Sequence, residues 1–509
     1  MTVLLGLPLS LEDVTAVAAG AAVELPAEAA ERMRASRAVV EEKVAAGETA
    51  YGITTGFGSL ESVRIDPADA ATLQERIVTS HATSVGEPLT VGETRAMLAL
   101  RAHVLALGYS GVRVDVVERM VEMLARDLIP VVPQQGSLGA SGDLAPLARL
   151  ALPLIGRGEV WADGRRAPAA DVLARAGLVP LTLQAKEGLA LVNGTQGMLA
   201  VGILAAQRIY NVCRTADLAA AMSIEALFGT DRPFDARLQA LRPHAGQAAS
   251  AANLRSLMSG SAIAASHRDS AHIVQDAYSL RCTPQVHGAT RETLAHAEGV
   301  LGIEINAVSD NPVVFADTGE VLSGGNFHGQ PVAIAMDALA ASVVSLASIS
   351  ERRLFRLLDP SLSNDLPPFL VRDSGLNSGF MLTQYTAASL VSESKSLAHP
   401  ASIDSIPSSA EQEDHVSMGM TSARHARECV AIAEQVVALE VLGAAQALDL
   451  RAPLRPGAGS AAALSAVRER VAFLDEDREL WPDIAAVTDM VRSGALVAVA
   501  ETATGDALA

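Results

Sequence analysis

The sequence predicts a mainly α-helical protein, a long-helix bundle with a smaller N-terminal part and few short strands. Only 3% of its 509 residues are aromatic although 50% are apolar. The core must therefore be built from Ala, Leu and Val, which favour closely packed helices over aromatic-rich β-sandwiches. Apolar residues also recur with helical spacing along most of the chain.

The N-terminal part is predicted to alternate helices with loops. Ser10 to Asp13 indicates a capped helix start. In chain order, helical spacing covers residues 10–46, 69–81, 91–107 and 115–127. Residues 51–58 contain three glycines and indicate a loop. Pro130 and Pro133 then interrupt the chain, and Gly158 to Arg166 predicts a hairpin that turns at Asp-Gly.

Beyond Glu187 the predicted helices become long. They cover residues 188–228, 249–257, 288–305, 330–357, 379–398 and 415–450. Polar or glycine-rich interruptions lie near 306–328 and 360–378. The predicted division is an N-terminal part of residues 1–200 and a helical bundle of residues 201–509.

Several of these helices carry apolar residues on more than one face, as in residues 330–350, where alanines permit close helix approach. Such helices rarely bury all their apolar surface within one monomer. The core of an intrachain bundle would explain the pattern, but we favour a homo-oligomer.

Composition excludes several classes of function. A net charge of −19 argues against nucleic acid or an anionic membrane as partner. The apolar stretch 189–206 contains Asn193, Thr195 and Gln196, which favours a buried helix over a membrane span. Three scattered cysteines fit a reducing cytoplasm. Eleven histidines without ligand spacing indicate no metal site.

The most informative segment runs from Gly136 to Pro146 and contains Ala140-Ser141-Gly142. In such a triplet the Gly142 nitrogen can attack the Ala140 carbonyl. Loss of water from the ring and from Ser141 then leaves a methylidene-imidazolone (MIO), an electrophile. Gly142 permits the necessary dihedral angles, and Asp143 suits the N-cap of the next helix. The alternative is an ordinary glycine-rich loop that enters a capped helix.

The flanking residues favour the ring. Gly136 to Leu147 resembles the cofactor loop of the aromatic amino acid ammonia-lyases, which act on histidine, phenylalanine or tyrosine. The resemblance extends from about residue 8 to about residue 500. It implies an MIO formed from Ala140-Ser141-Gly142 with no external cofactor. It also implies a homotetramer whose active sites each draw on three subunits.

Tyr51 is the predicted catalytic base. It begins the segment Tyr-Gly-Ile-Thr-Thr-Gly-Phe-Gly58, which resembles a mobile loop of the family. Removal of a β-proton requires a base, and a tyrosinate can serve. Without the cofactor motif, a tyrosine that merely anchors a loop would be the simpler interpretation.

A polar cluster at residues 275–281 is predicted to bind the substrate. The planar guanidinium of Arg281 matches a carboxylate through two parallel hydrogen bonds. The resemblance implies that Tyr278 takes part in catalysis near the substrate amino group and the cofactor, and that Gln275 supports the site. A surface salt bridge is the ordinary alternative for such an arginine.

Three further residues are predicted to support the cofactor. Asn193 interrupts an apolar helix, and a buried amide needs hydrogen-bond partners. The resemblance implies that Asn193 bonds the cofactor oxygen and the substrate. It also implies that Phe327 packs on the cofactor ring, although Phe327 suits an ordinary core. Asp143 is the third residue predicted to support the cofactor.

The choice of substrate rests on His81 and Glu413. A carboxylate can accept the N–H of an imidazole, and a histidine can bond its other nitrogen. The pair Ser80-His81 resembles family members that act on histidine, and those acting on phenylalanine carry an amide in place of Glu413. Taken singly, each residue would be an ordinary solvated side chain.

Together these residues predict a cytoplasmic carbon–nitrogen lyase. It would convert L-histidine to trans-urocanate and ammonia without oxidation. Deamination of phenylalanine or tyrosine, or transfer of the amine to the β-carbon, is the alternative within the family. A non-catalytic helical scaffold is the alternative outside it.

Overall fold

A computed structural model of the protein describes residues 1–60, 62–269 and 274–509. It confirms the predicted mainly helical class. The longer helices are Ala27–Ala46, Ala70–His81, Val91–Ala106, Val114–Ala125, Gln196–Ala226, Ala245–Leu257, Thr283–Ile305, Gln330–Leu358, Met381–Leu397, Gly419–Leu450, Ala458–Arg468, Trp481–Ser493 and Ala495–Thr504. The shorter ones are Leu11–Ala18, Leu144–Ala151, Ala169–Arg175, Glu187–Val192, Ala236–Ala240, Ala262–Ser266 and Tyr278–Arg281.

The strands are short and form small separate sheets. Thr2–Leu4 pairs in parallel with Ala22–Glu24. The antiparallel pairs are Val85–Pro88 with Pro133–Gln135, Ile129–Pro130 with Glu159–Ala162, Glu159–Ala162 with Arg165–Pro168, and Val313–Phe315 with Glu320–Leu322. The hairpin at 159–168 turns at Asp163-Gly164, where both residues have positive φ, as its Asp-Gly sequence predicts.

The chain divides into two compact units. The first comprises residues 1–204, 297–337 and 400–424, and it contains the cofactor-loop segment. Its helix Val91–Ala106 is buried on nearly all sides and carries Arg101 inside. Because the unit includes segments from later in the chain, it is not one continuous stretch. The predicted division at residue 200 remains a prediction.

The second unit comprises residues 205–296, 338–399 and 425–509. Its interior is mostly aliphatic and also contains a buried ion pair. Arg353 and Glu440 are both fully buried, with Nη2 of the arginine 2.9 Å from Oε2 of the glutamate. Ser350 donates to the same carboxylate, which compensates further for its loss of water.

Local sequence signals located several elements well. Ser10 and Asp13 form the capping box that their spacing predicts. The predicted single helix at 188–228 was wrong, because two helices are separated by residues 193–195. The three helices beyond residue 457 and the three-residue strands were not predicted. Strands of that length are too short to show an alternating pattern.

One helix, Gln330–Leu358, is long and apolar enough to cross a membrane by length and composition alone. Most of its apolar window is nevertheless buried within the chain. The core helix of a soluble protein has the same properties, so this helix does not indicate a membrane protein.

Candidate active site

The Ala140-Ser141-Gly142 triplet lies in a tight turn between Pro133–Gln135 and Leu144–Ala151. The φ angles of Gly139, Ser141 and Gly142 are 89°, 50° and 80°. A positive φ is uncommon for a serine. The Gly142 amide already points back into the turn and donates to the Gly139 carbonyl at 3.3 Å. The backbone is thus folded back on itself where cyclisation requires it.

Gly194 holds this turn from the other side. The Asp143 amide donates to the Gly194 carbonyl at 2.7 Å, and the Gly194 amide donates to the Ser141 carbonyl at 3.1 Å. A Cβ atom on Gly142 would lie 2.1 Å from the Gly194 oxygen, closer than any side chain allows. Glycine at 142 is therefore required by close backbone approach as well as by its φ.

Asp143 occupies the N-cap position of Leu144–Ala151, but its side chain does not cap that helix. This corrects the expectation from sequence. The carboxylate instead accepts from the Met198 amide at 2.7 Å, in the first turn of Gln196–Ala226, and from Ser137 Oγ at 2.9 Å. It caps a different helix because the turn directs it toward that helix. Its complete burial raises the pKa to about 6.

Cavities surround the turn. One of about 330 Å³ is lined by Tyr51, Ala140, Ser141, Phe327 and Glu413, among others. A second, of about 410 Å³, is lined by Tyr51, His81, Ser141 and Glu413. Both cavities are lined by Tyr51, Ser141 and Glu413, so side chains from two distant parts of the sequence lie near Ser141 in each of them. This space is large enough for an amino acid.

Tyr51 stands on the turn that follows Ala27–Ala46. Its hydroxyl oxygen accepts a hydrogen bond from the Gly58 amide at 3.2 Å, so the ring bridges the two ends of its own loop. Thr54 steadies the loop by donating to the Glu48 carbonyl at 2.7 Å. Tyr51 thereby lines both cavities beside Ser141.

His81 ends the helix Ala70–His81, and its Nδ1 lies 3.0 Å from Ser80 Oγ. Burial lowers the pKa of His81, opposed by the Ile77 backbone and by the negative charge of Glu413. Glu413 is held by Ser408, whose Oγ donates to its carboxylate at 2.8 Å. The imidazole and the carboxylate thus face the same cavity.

Asn193 and Phe327 occupy different surroundings. Phe327 is half-buried and lines the first cavity. Asn193 is buried at the end of Glu187–Val192. Its Nδ2 donates to the Asn311 carbonyl at 3.1 Å and to Asp310 Oδ1 at 3.3 Å. Asn311 itself lines the first cavity.

The predicted cluster at 275–281 belongs to the second unit, whereas Ser141 belongs to the first. Tyr278 and Arg281 share the four-residue helix Tyr278–Arg281. The guanidinium carbon lies 4.6 Å from the centre of the tyrosine ring. Arg281 and Gln275 line a cavity of about 440 Å³ in their own unit, and the Tyr278 side chain is exposed.

A family model described as aromatic amino acid lyase matches residues 9–469. The chain belongs to the aromatic amino acid lyase family. Histidine ammonia-lyase from Myxococcus xanthus is 54% identical, over 97% of this chain and 97% of the relative. Histidine ammonia-lyase from Anaeromyxobacter dehalogenans is 56% identical, over 96% and 98%.

Solved structures agree with this assignment. Histidine ammonia-lyase from Trypanosoma cruzi is similar with a TM-score of 0.91 and 44% identity, over 99% of this chain and 95% of that chain. Tyrosine aminomutase from Streptomyces globisporus has a TM-score of 0.95 and 39% identity, over the full length of both chains. The family resemblance and the helical fold predicted from sequence are confirmed.

Sequence reasoning missed the charged residues buried beside the lyase cofactor loop. Arg101 and Lys186 are fully buried, as is Asp310. Arg101 donates to the Asn193 carbonyl and to Gln196 Oε1, both at 2.7 Å. The sequence does contain a signal for Arg101, because an arginine in the middle of an apolar helix requires polar partners inside the protein. Which partners it finds cannot be read from local pattern.

His328 and His415 were also missed. Their rings stack with centroids 5.8 Å apart and planes 8° apart, and both line the first cavity. Neither residue belongs to a recognisable spacing motif. They add two titratable groups to the surroundings of Ser141.

Proposed function

We propose that this chain converts L-histidine to trans-urocanate and ammonia by non-oxidative deamination. The observation that carries the proposal is that His81 and Glu413 line one cavity together with Ser141. Two hydrogen-bonding groups of this kind suit an imidazole and would be left unpaired by a phenyl ring. Full-length relatives named histidine ammonia-lyase, at 54% and 56% identity, support the same substrate.

The proposal includes an MIO formed from Ala140, Ser141 and Gly142. The turn suits this group, since the positive φ of Ser141 and the contact with Gly194 favour a folded-back backbone. The group supplies an electrophile that makes the substrate amine a better leaving group. No external cofactor or metal forms part of the proposal.

Each side chain has a distinct part in this proposal. Tyr51 removes the β-proton, and His81 with Glu413 orients the imidazole. Phe327 and Asp143 support the cofactor, the first from the cavity wall and the second through its hydrogen bonds to Ser137 and Met198. Asn193 contributes to binding of the substrate.

Gln275, Tyr278 and Arg281 are proposed to act in a site completed by another copy of the chain, as the family resemblance implies. Within the described residues, Nε of Arg281 is buried without a hydrogen-bond partner. The Tyr278 side chain is 70% exposed. The Tyr278 side chain is therefore accessible, and Arg281 retains a hydrogen-bond donor that the described residues of its own unit do not satisfy.

A homotetramer in the cytoplasm is part of the same proposal. Helix Gln330–Leu358 leaves Ile334, Ala338 and Ala341 exposed, one helical turn apart. This second apolar stripe is suited to packing against another copy.

The direct test is to incubate the purified protein with L-histidine, L-tyrosine and L-phenylalanine in parallel. We expect urocanate absorbance and equimolar ammonia from histidine. If the protein turns over tyrosine but does not turn over histidine, the proposed roles of His81 and Glu413 are contradicted. The second candidate function is that of an aminomutase, which the similarity to tyrosine aminomutase supports. Formation of a β-amino acid without release of ammonia would favour it.

Glu413→Gln is expected to lower kcat/KM for histidine about 10- to 100-fold, the value of a hydrogen bond to a charged group. The amide retains the shape of the carboxylate but not its charge. Glu411→Gln is the matched control, because Glu411 is exposed in the same loop and lines none of the described cavities around Ser141. Equal losses in the two variants would remove Glu413 from substrate binding.

A further inference from the structure

Lys186 and Asp310 form an ion pair that has no contact with solvent. Both side chains are fully buried, and Nζ lies 2.7 Å from Oδ2. Burial alone would raise the pKa of Asp310, but the positive charges of Lys186 and Arg101 hold it below its usual value. Asp310 is thus an ionised acceptor in the interior of the first unit.

The other oxygen of Asp310 sets the orientation of Asn193. Nδ2 of Asn193 donates to Asp310 Oδ1 at 3.3 Å and to the Asn311 carbonyl at 3.1 Å. Both neighbours are acceptors only, so they require the NH₂ group rather than the oxygen on this side. Both amide hydrogens are therefore engaged within the protein.

The side-chain oxygen of Asn193 takes no part in these hydrogen bonds. Among the described residues, no hydrogen bond reaches the side-chain oxygen of Asn193. The backbone of Asn193 is equally constrained, because Arg101 Nη1 donates to its carbonyl at 2.7 Å. The following residue, Gly194, contacts Ser141 and Asp143 directly. A fixed acceptor thus stands one residue from the segment that holds the cofactor loop.

We propose that the Lys186–Asp310 pair is a positioning device that presents the Asn193 side-chain oxygen to the amino group of the substrate. An amine has N–H donors, so it matches a free acceptor and would be opposed by an NH₂ group in the same place. In this role the Asn193 oxygen is an acceptor. The role differs from the expected bond to the cofactor oxygen, which would need a donor that Asp310 and Asn311 already occupy. This inference rests on the proposed function, since the substrate must carry an amine at Ser141.

A buried ion pair can also serve stability alone, since breaking one leaves an uncompensated charge. The two roles predict different coupling between the ion pair and Asn193. A positioning pair acts through Asn193, so its loss has no further effect on turnover once that amide is gone. A purely structural pair has an effect independent of Asn193, and its loss adds to that of the amide.

The experiment compares the full-length parent, Asp310→Asn, Asn193→Ala and the double variant. We expect each single variant to lower kcat for histidine about 100-fold, as for misplacement of a catalytic geometry. The double variant should be no slower than Asn193→Ala. Intact mass should show the loss of two waters in all four proteins. If Asp310→Asn does not fold, Lys186→Met takes its place in the same cycle.

Glu187→Gln is the matched control. Glu187 is fully buried next to Lys186 in sequence, but it pairs with Arg113 at 2.8 Å and contacts neither Asn193 nor the cofactor loop. We expect this variant to melt at a lower temperature and to retain kcat within about twofold, with an effect that adds to that of Asn193→Ala.

Three results would overturn the positioning role: additive losses for Asp310→Asn and Asn193→Ala, near-parent turnover in Asp310→Asn, or absence of the ring in that variant. The last would assign the pair to cyclisation. A parent protein that releases no urocanate would instead contradict the proposed function itself. The two failures are thereby distinguished.

Discussion

Ser141→Ala is expected to abolish formation of the MIO and to slow release of ammonia from histidine on the order of 10⁵-fold, as when a covalent catalyst is removed. Alanine has no hydroxyl to lose, so the exocyclic double bond cannot form. The backbone of the turn should survive, because Gly194 holds it through backbone groups alone. Histidine turnover and intact mass are the two measurements.

The mass measurement separates loss of chemistry from loss of structure. The parent should weigh two waters less than its sequence, whereas Ser141→Ala should not show the same deficit. Its melting temperature should stay close to that of the parent, because the substitution removes only a small polar group. Parent-like release of ammonia from this variant would contradict both the ring and the proposed deamination.

Tyr51→Phe is expected to retain the ring but to lower kcat about 1000-fold, within the usual range for a general base. The phenyl ring fills the same space, and the main structural loss is the acceptor for the Gly58 amide at 3.2 Å. The steady-state rate on histidine and the intact mass test this together. Both must be measured, because a variant without the ring would lose activity for a different reason.

Tyr109→Phe is the matched control for the base. Tyr109 lies in the same unit, packs edge-on against Phe315 with ring centroids 6.0 Å apart, and lines none of the described cavities at Ser141. Its turnover should be close to that of the parent. If Tyr51→Phe is as active as Tyr109→Phe, another group removes the β-proton.

Much of the fold could be predicted because its signals are local. The capping box at Ser10 and Asp13, the Asp-Gly hairpin at residues 158–166 and the helix at 330–358 each follow from side chains within a few residues of one another. The Ala140-Ser141-Gly142 triplet is local in the same sense, since its chemistry needs only three adjacent residues and a permissive glycine.

The break at residues 193–195 was missed because apolar residues with helical spacing lie on both sides of it. The dipeptide Asn193-Gly194 favours a turn and is the local signal that could have located the break. Gly194 leaves the helix because its amide and carbonyl bond to Ser141 and Asp143 instead. The gain comes from a partner distant in sequence, which helical periodicity does not register. Asp143 was misjudged for the same reason, because its preferred donors belong to Gln196–Ala226.

The helical class, the family and the candidate cofactor triplet Ala140-Ser141-Gly142 can be identified from the sequence, since each depends on neighbouring residues or on a recognisable order of motifs. Only the folded chain shows that His81 and Glu413 line one cavity and that Lys186, Asp310 and Asn193 form one buried network. Hydrogen bonds and ion pairs between distant residues gain their strength when packing removes water from them. That desolvation is a property of the folded chain and of no short segment within it.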